Sequence, residues 1–457
     1  YYNASSTSID YGWRIIRLGY DNTSLWEYNE SFSIWNDEAK SVIADHRDDI
    51  IVVGFDSLFG SSDLQWRVMK FRSLSSRVHN INTGLNYATI QEAINANETL
   101  DGHTILVDKG TYYEHVVVNK TISLIGEDRE TTIIDGDGVG TVVYVTSDNV
   151  KLEGFTVRHG GYEALLAGIY LSDVYNCSVV LNKVIDNNHN GIQVFYSRQC
   201  LINQNIVERN TFWGIWLYDC NDTRIIGNYV SESGETGVAG IGLGTCGNCS
   251  VLGNHITHNV RGIALYDEMR NNIIYHNNFI DNTEQAYISI PAHKQNQSIW
   301  DNGYPSGGNY WSNYAGADVC KGPHQNETGS DGIGDIAYDI DGSIGYAPAY
   351  VPDNYPLMGS FSDFNVTSEF HVQTICNSAI SDFHFNGTAI SFNVSGENDT
   401  TGFCRICIPT ALMNGTYKVF INSTEIPHTL LPCSNTTHSY LYFTYNHSTQ
   451  EVIIIPE

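Results

Sequence analysis

The sequence predicts an all-β chain organised around a right-handed parallel β-helix, and three observations support that class. A Gly-Ile pair recurs at Gly168-Ile169, Gly191-Ile192, Gly214-Ile215, Gly240-Ile241 and Gly262-Ile263, at intervals of 23, 23, 26 and 22 residues. Two further columns keep step with it: Asn182, Asn205, Asn228, Asn254 and Asn277, then Asn187, Asn210, Ser233, Asn259 and Asn282. The runs between them, such as Gly-Ile-Gln-Val from Gly191 and Gly-Ile-Trp-Leu from Gly214, are short, β-rich and bounded by turn residues. A unit this short cannot bury its apolar face alone and must stack on copies of itself. At a strand spacing of about 4.8 Å, each Asn would meet the next and hydrogen-bond along the column.

The remaining elements follow in chain order. Residues 1–72 carry two Trp-Arg-aliphatic motifs, Trp13-Arg14-Ile15 and Trp66-Arg67-Val68, among strand-like runs such as Ile50-Ile-Val-Val-Gly54. This small β domain resembles one propeller blade, which cannot close a propeller by itself and must pack on the β-helix or on a neighbouring subunit. Residues 73–84 read as a linker and 85–296 as the β-helix. Within it, Tyr87 to Ile94 has helical spacing and is expected to form a short helix covering the first coil, where an open solenoid would expose core and strand edges. Residues 297–360, rich in Gly, Tyr, Trp and Asp, read as a cap whose aromatic rings plug the last coil. Alternating runs at Ile380–Phe385, Ala389–Val394, Tyr417–Ile421, Ser439–Tyr445 and Glu451–Ile455 make residues 361–457 a small Ig-like β-sandwich.

From Tyr87 through Gly110-Thr-Tyr-Tyr-Glu114 and Leu124-Ile-Gly-Glu127 to Asn282, the chain resembles the NosD-like right-handed parallel β-helix proteins common on archaeal surfaces. The ordered trio Gly307-Gly-Asn-Tyr-Trp-Ser-Asn-Tyr314, Ser330-Asp-Gly-Ile-Gly-Asp335 and Asp353-Asn-Tyr-Pro-Leu-Met358 resembles that family's C-terminal cap. The final domain resembles a membrane-proximal domain of archaeal surface proteins, and an end at Pro456-Glu457 would suit removal of an anchor. The resemblance implies a surface or periplasmic protein. Its family name brings copper handling, and related β-helices bring polysaccharide cleavage; fold does not choose between them.

Lys plus Arg of 23 against Asp plus Glu of 51 gives a formal charge of −28, which repels nucleic acid and anionic lipid. Ten cysteines point to an oxidising, extracellular location. So do eighteen Asn-X-Ser/Thr sequons, spread over every domain: Asn3, Asn22, Asn29, Asn97, Asn119, Asn176, Asn221, Asn248, Asn296, Asn326, Asn365, Asn386, Asn393, Asn398, Asn414, Asn422, Asn435 and Asn446. An Asn- and Thr-rich chain also generates sequons by chance. With no signal peptide or apolar span of about 20 residues, the chain reads as mature, without a transmembrane segment.

Coil position constrains the cysteines. Cys177 and Cys200 each lie nine residues after the glycine of adjacent coils, and Cys220 and Cys246 each lie six residues after theirs. Stacking at about 4.8 Å is within disulfide reach, which predicts Cys177 with Cys200 and Cys220 with Cys246. Cys249 stands two coils from Cys200 and would need another partner, such as Cys320 or a neighbouring subunit. Cys376, Cys404, Cys407 and Cys433 are expected to form two bonds in the sandwich. Cys404-Arg-Ile-Cys407 has the spacing of a redox pair or zinc half-site, but on a secreted strand it reads as structural.

Three constellations carry possible chemistry. Asp318, Asp331, Asp335, Asp339 and Asp341 gather hard oxygen ligands on Gly-permitted turns, compatible with a structural Ca²⁺, or simply with a solvated acidic turn. Asp173, Asp219 and Asp267 each follow their coil glycine by five residues, with Tyr196 and Thr245 at that position in the intervening coils. A line of acids ~10 Å apart lies beyond the usual glycosidase separation, so solvated corners explain these residues, and Asp186 with His189, better than a catalytic pair. His255, His258 and His276 repeat at no common position, and copper also favours Met or Cys partners, while the chain has four Met. The chain therefore reads as a non-enzymatic, self-assembling subunit of an archaeal-type S-layer, sheath or filament, with no required cofactor. The alternatives are a polysaccharide-binding or polysaccharide-cleaving β-helix, then a copper-handling protein.

Overall fold

The computed structural model describes residues 77–163, 166–234, 238–289, 298–340 and 352–457 in full, together with the backbone of Val351 and of five strands between Trp13 and Phe71. They divide into two units, Tyr1–Arg77 with Asn86–Ala88, and Val78–Leu85 with Thr89–Glu457. In the first, Trp13–Leu18 pairs antiparallel with Ser24–Glu30, and Glu38–Ala44, Ile50–Ser57 and Leu64–Phe71 form an antiparallel meander. The two Trp-Arg-aliphatic motifs lie on the first and the last of these strands in chain order.

The second unit is built on a parallel β-helix of three faces. The first face stacks eight parallel strands, from Val116–Val118 through Ala167–Ser172, Asn190–Phe195, Ile215–Tyr218, Ile241–Gly244 and Arg261–Tyr266 to Glu284–Ser289. The second face runs in parallel from Thr104–Val107 to Ile273–Tyr275, and the third from Gly110–Tyr113 to Tyr310–Trp311. Strand alternation sends Ile169, Ile192, Ile215, Ile241 and Ile263 inward, in register and fully buried. The recurring glycine before each is required by close approach: a Cβ on Gly191 would lie 2.6 Å from the Gly214 carbonyl oxygen.

Sharp corners join the faces. One column of corner residues, Asp173, Tyr196, Asp219, Thr245 and Asp267, has φ of 54°, 53°, 52°, 53° and 62°. Asp and Asn tolerate this left-handed region better than most residues, which explains their frequency there. The ladder asparagines lie inside. Nδ2 of Asn182, Asn205, Asn228, Asn254 and Asn277 donates to Oδ1 of the next member at 3.2, 3.0, 3.0, 2.9 and 3.0 Å, ending on Asn309.

At the start of the solenoid, helix Ile90–Asn95 buries Ile90, Ala93 and Ile94, and Thr89 caps it by accepting the Glu92 N–H at 3.1 Å. At the far end, Trp311 stacks between Phe279 and Tyr338 at 4.4 Å from each, next to Trp300. The C-terminal domain consists of two five-stranded antiparallel sheets around Phe392, Ile406, Val419, Leu441, Phe443 and Ile454. It is fastened to the last coil and the cap. Asn278 exchanges two hydrogen bonds with the Phe361 backbone, and buried Arg405 donates to the carbonyls of Asp331 and Pro305 at 2.8 and 2.6 Å.

Candidate functional site

The outward surface of the first face carries a strip of aromatic rings. Register places Tyr144, Tyr170, Gln193, Trp216, Gly242, Ala264 and Tyr287 in one row, and Ser172, Phe195, Tyr218, Gly244, Tyr266 and Ser289 in the next. Ring centroids follow one another from Tyr144 to Tyr170 at 5.1 Å, to Phe195 at 5.7 Å and to Tyr218 at 5.6 Å. Trp216, Tyr266 and Tyr287 continue the line at 6.2, 6.1 and 5.8 Å. Seven coils separated by about 4.8 Å make the strip ~29 Å long. Gly242 and Gly244 lie buried beneath the rings: a Cβ at Gly242 would meet Trp216 at 2.5 Å and Trp213 at 2.6 Å, so glycine lets both indoles lie on the strand. The strip was not foreseen: its two rows stand two and four residues after each coil glycine, but the aromatic residues are shared unevenly between them, so neither row reads as an aromatic column.

Asp173, Asp219 and Asp267 border this strip in the positive-φ corner column, on alternate coils and so ~10 Å apart. Asp173 accepts a hydrogen bond from its neighbour Ser172 at 3.1 Å. Asp186 is held by the Arg209 guanidinium at 2.8 and 3.0 Å, whereas His189 contacts the Leu166 carbonyl, so those two do not face each other through a hydrogen bond.

The cap acids fold their own loops. Asp318 accepts the N–H groups of Asp331 and Gly332, Asp335 those of Val319 and Cys320, and Asp331 those of Gly322 and Ile333. Burial pushes the Asp318 carboxyl up to about 7. Asp339 pairs through its backbone with Pro352, and Asp341 lies outside the described residues. Asp353 is completely buried and accepts from Asn309 N–H, Trp311 Nε1–H and Tyr355 N–H at 2.7, 2.9 and 3.2 Å; burial raises it to about 7. Its burial was not legible in the sequence.

Register sets the sulfur positions. Cys177 and Cys200 directly precede the paired residues Ser178 and Leu201, and Cys220 and Cys246 precede the bridge between Asn221 and Gly247. The structure closes none of these pairs as a disulfide. A hydrogen bond to Cys200 raises the Cys177 thiol, and burial followed by contacts with Cys220 and Cys249 raises Cys246. Cys249 thus approaches Cys246 of its own coil. Cys376 faces Cys404 across paired strands, and Cys407 lies in the field of Cys433. Cys320 sits in the cap beside Asp335.

His255 and His276 line a cleft of about 750 Å³ with His371 and Asp363. His276 stacks on Phe361 at 3.8 Å, and burial lowers it to about 4. His258 instead meets Thr257 Oγ1 at 2.7 Å. Among the described residues no group of three or more His, Cys, Asp or Glu side chains is placed to hold a metal ion.

The asparagines separate cleanly by burial. The ladder members are buried, whereas none of the fourteen sequon asparagines with described side chains is: Asn97, Asn119, Asn176, Asn221, Asn248, Asn326, Asn365, Asn386, Asn393, Asn398, Asn414, Asn422, Asn435 and Asn446. Asn3, Asn22 and Asn296 lie outside the described residues, and Asn29 is described by its backbone alone. Sequons arising by chance in an Asn-rich chain would fall on buried columns as well.

Residues 95–316 match the family model of the periplasmic copper-binding protein NosD. The chain is also 29% identical over 326 residues to a cell surface glycoprotein of the archaeon Methanothermus fervidus, covering 52% of this chain and 53% of that one. It thus spans about half the length of the curated relative it matches. Similar solved structures include the A-module of Azotobacter vinelandii mannuronan C-5 epimerase AlgE4, at 13% identity, with 48% of this chain and 88% of that one covered and a TM-score of 0.29. Pectate lyase Pel9A matches at 15% identity over 49% and 76%, with a TM-score of 0.28. The enzymatically active domain of bacteriophage CBA120 tailspike protein 2 matches at 12% over 88% and 84%, with a TM-score of 0.29. The NosD-like solenoid and the glycoprotein relative support a protein of the cell surface. No helix among the described residues is long and apolar enough to cross a membrane.

Proposed function

We propose that this chain is a structural glycoprotein of an archaeal-type cell envelope, an S-layer, sheath or filament subunit that joins to its neighbours through its terminal β domains. The observation that carries the reading is the partition of asparagines into a buried set that laces the rod together and an exposed set bearing sequons. A β-helix closed by a helix at one end and an aromatic cap at the other cannot grow by end-to-end strand addition, so assembly would fall to the flanking domains. Stapled cysteine columns belong to the same reading, serving stiffness outside the cell. Negative-stain microscopy of native envelope material is the test. Ordered sheets, sheaths or filaments carrying the chain are expected; dispersed monomers alone would refute assembly.

A further inference from the structure

Four sequons lie along one edge of the solenoid, the corner between its first and second faces. Asn119 follows Val116–Val118, and Asn176, Asn221 and Asn248 sit in the turns after Ala167–Ser172, Ile215–Tyr218 and Ile241–Gly244. Asn176 and Asn248 occupy the same left-handed corner position, φ 53° and 52°, and both are exposed. Asn221 belongs to the neighbouring bridged row, between Arg198 and Gly247. The same edge borders the aromatic strip. Tyr218 precedes Asn221 by three residues, and Tyr196, half exposed at 50%, stands in the intervening corner column at 5.9 Å from Tyr218.

We infer that the strip is the resting surface for the chain's own N-linked glycans, those on Asn176, Asn221 and Asn248. The chemistry of the strip fits pyranose rings. Aromatic faces pack against the C–H faces of sugars, and Tyr hydroxyls at the ring edges can hydrogen-bond sugar hydroxyls. The corner carboxylates Asp173, Asp219 and Asp267 run along the same border as acceptors. Val117 heads the first outward row and Ala264 lies within it; the other outward residues from Tyr144 to Ser289 are aromatic, glycine or polar. Gly242 and Gly244, on the coil that ends in Asn248, let the Trp216 indole lie flat on the strand, which offers that glycan a ring face close to the sheet. A glycan lying on these rings would keep water from them and would bridge successive coils from outside, as the asparagine ladder does from inside.

The inference rests on the glycoprotein reading but not on polymerisation. Its test is hydroxyl-radical footprinting of the purified native chain, read by mass spectrometry at Tyr196, Tyr218 and Tyr266. The same peptides report sequon occupancy. Three variants remove the glycans: Ser178→Ala and Ser250→Ala, which spare the left-handed asparagines, and Asn221→Gln. Labelling of Tyr196 and Tyr218 should rise in the triple variant while Phe364 and Tyr442 of the sandwich stay unchanged, and Tm should fall by ~2–4 °C. Hydrogen exchange at the ladder amides checks that the solenoid remains folded. Occupied sequons with identical labelling in both forms would overturn the inference. So would rings protected in both forms, which would assign the strip to a second copy or to another part of the chain. Vacant sequons at these three sites alone overturn the inference, whereas vacancy at every sequon refutes the glycoprotein reading itself.

Discussion

Removing one rung of the asparagine ladder gives the sharpest test of what holds the rod together. Asn228 Oδ1 accepts the backbone N–H and Nδ2 of Asn205 at 2.9 and 3.0 Å, and its Nδ2 donates to the Ile202 carbonyl at 2.8 Å and to Asn254 Oδ1 at 3.0 Å. Asn228→Ala removes these four bonds and a fifth, from Nδ2 to the Ile226 carbonyl at 3.2 Å, and strands at least the Asn205 N–H and one bond of the Ile202 carbonyl in a region without solvent. An unsatisfied buried group costs about 1–3 kcal/mol, so the variant should lose ~2–4 kcal/mol. Because solenoid coils open locally, the loss should appear around the altered rung and not as a uniform shift. The assay is native-state hydrogen exchange by mass spectrometry. Amides of Leu201–Asn203 and Arg224–Ile226 should exchange roughly thirty- to several-hundred-fold faster, and those of Thr401–Pro409 at the parent rate. Asn188→Ala, at an exposed position outside the sequons, is the control. Equal exchange in the two variants would refute the claim that the ladder is structural.

Three further outcomes follow from the same geometry. Burial raises Asp353 and Asp318 from an ordinary 3.8 to about 7, so the folded state holds their protons more tightly than the unfolded chain does. The associated stability is full below about pH 4 and is lost as pH rises through about 7, so Tm should be higher at pH 5 than at pH 8, with a reduced difference in Asp353→Asn. Non-reducing peptide mapping of secreted protein should show Cys177 joined to Cys200, Cys220 to Cys246, Cys376 to Cys404 and Cys407 to Cys433, and reduction should remove roughly 3 kcal/mol per bond; a Cys246–Cys249 link would displace the Cys220 pairing. Gly191→Ala places a Cβ 2.6 Å from a carbonyl of the next coil and should cost about 1–3 kcal/mol or prevent folding, as followed by thermal melting.

The β-helix was readable because its contacts are periodic. Residues 23 apart in sequence become neighbours in space, so the Gly-Ile and Asn columns name their own partners, and the same arithmetic brings Cys177 to Cys200 and Cys220 to Cys246. The capping helix followed from one amphipathic turn. Contacts that break the period left no such trace. Asn309 closes the ladder 32 residues after Asn277, on a strand beyond the repeats. Cys249 reads as an odd thiol by coil counting, yet it approaches Cys246 within its own turn.

The sequence by itself determined the solenoid and its capping helix, because local turn chemistry and a repeated register specify them, and its composition set the acidic charge and the positions of the sequons. Only the tertiary structure decided which side chains meet outside the inward ladders: the aromatic strip from Tyr144 to Tyr287, the buried Asp353 beneath Trp311, and the Arg405 clasp between sandwich and cap. The physical reason is that a side chain's outward or inward direction follows from strand alternation, while its neighbour on the next rung depends on how many residues each corner consumes.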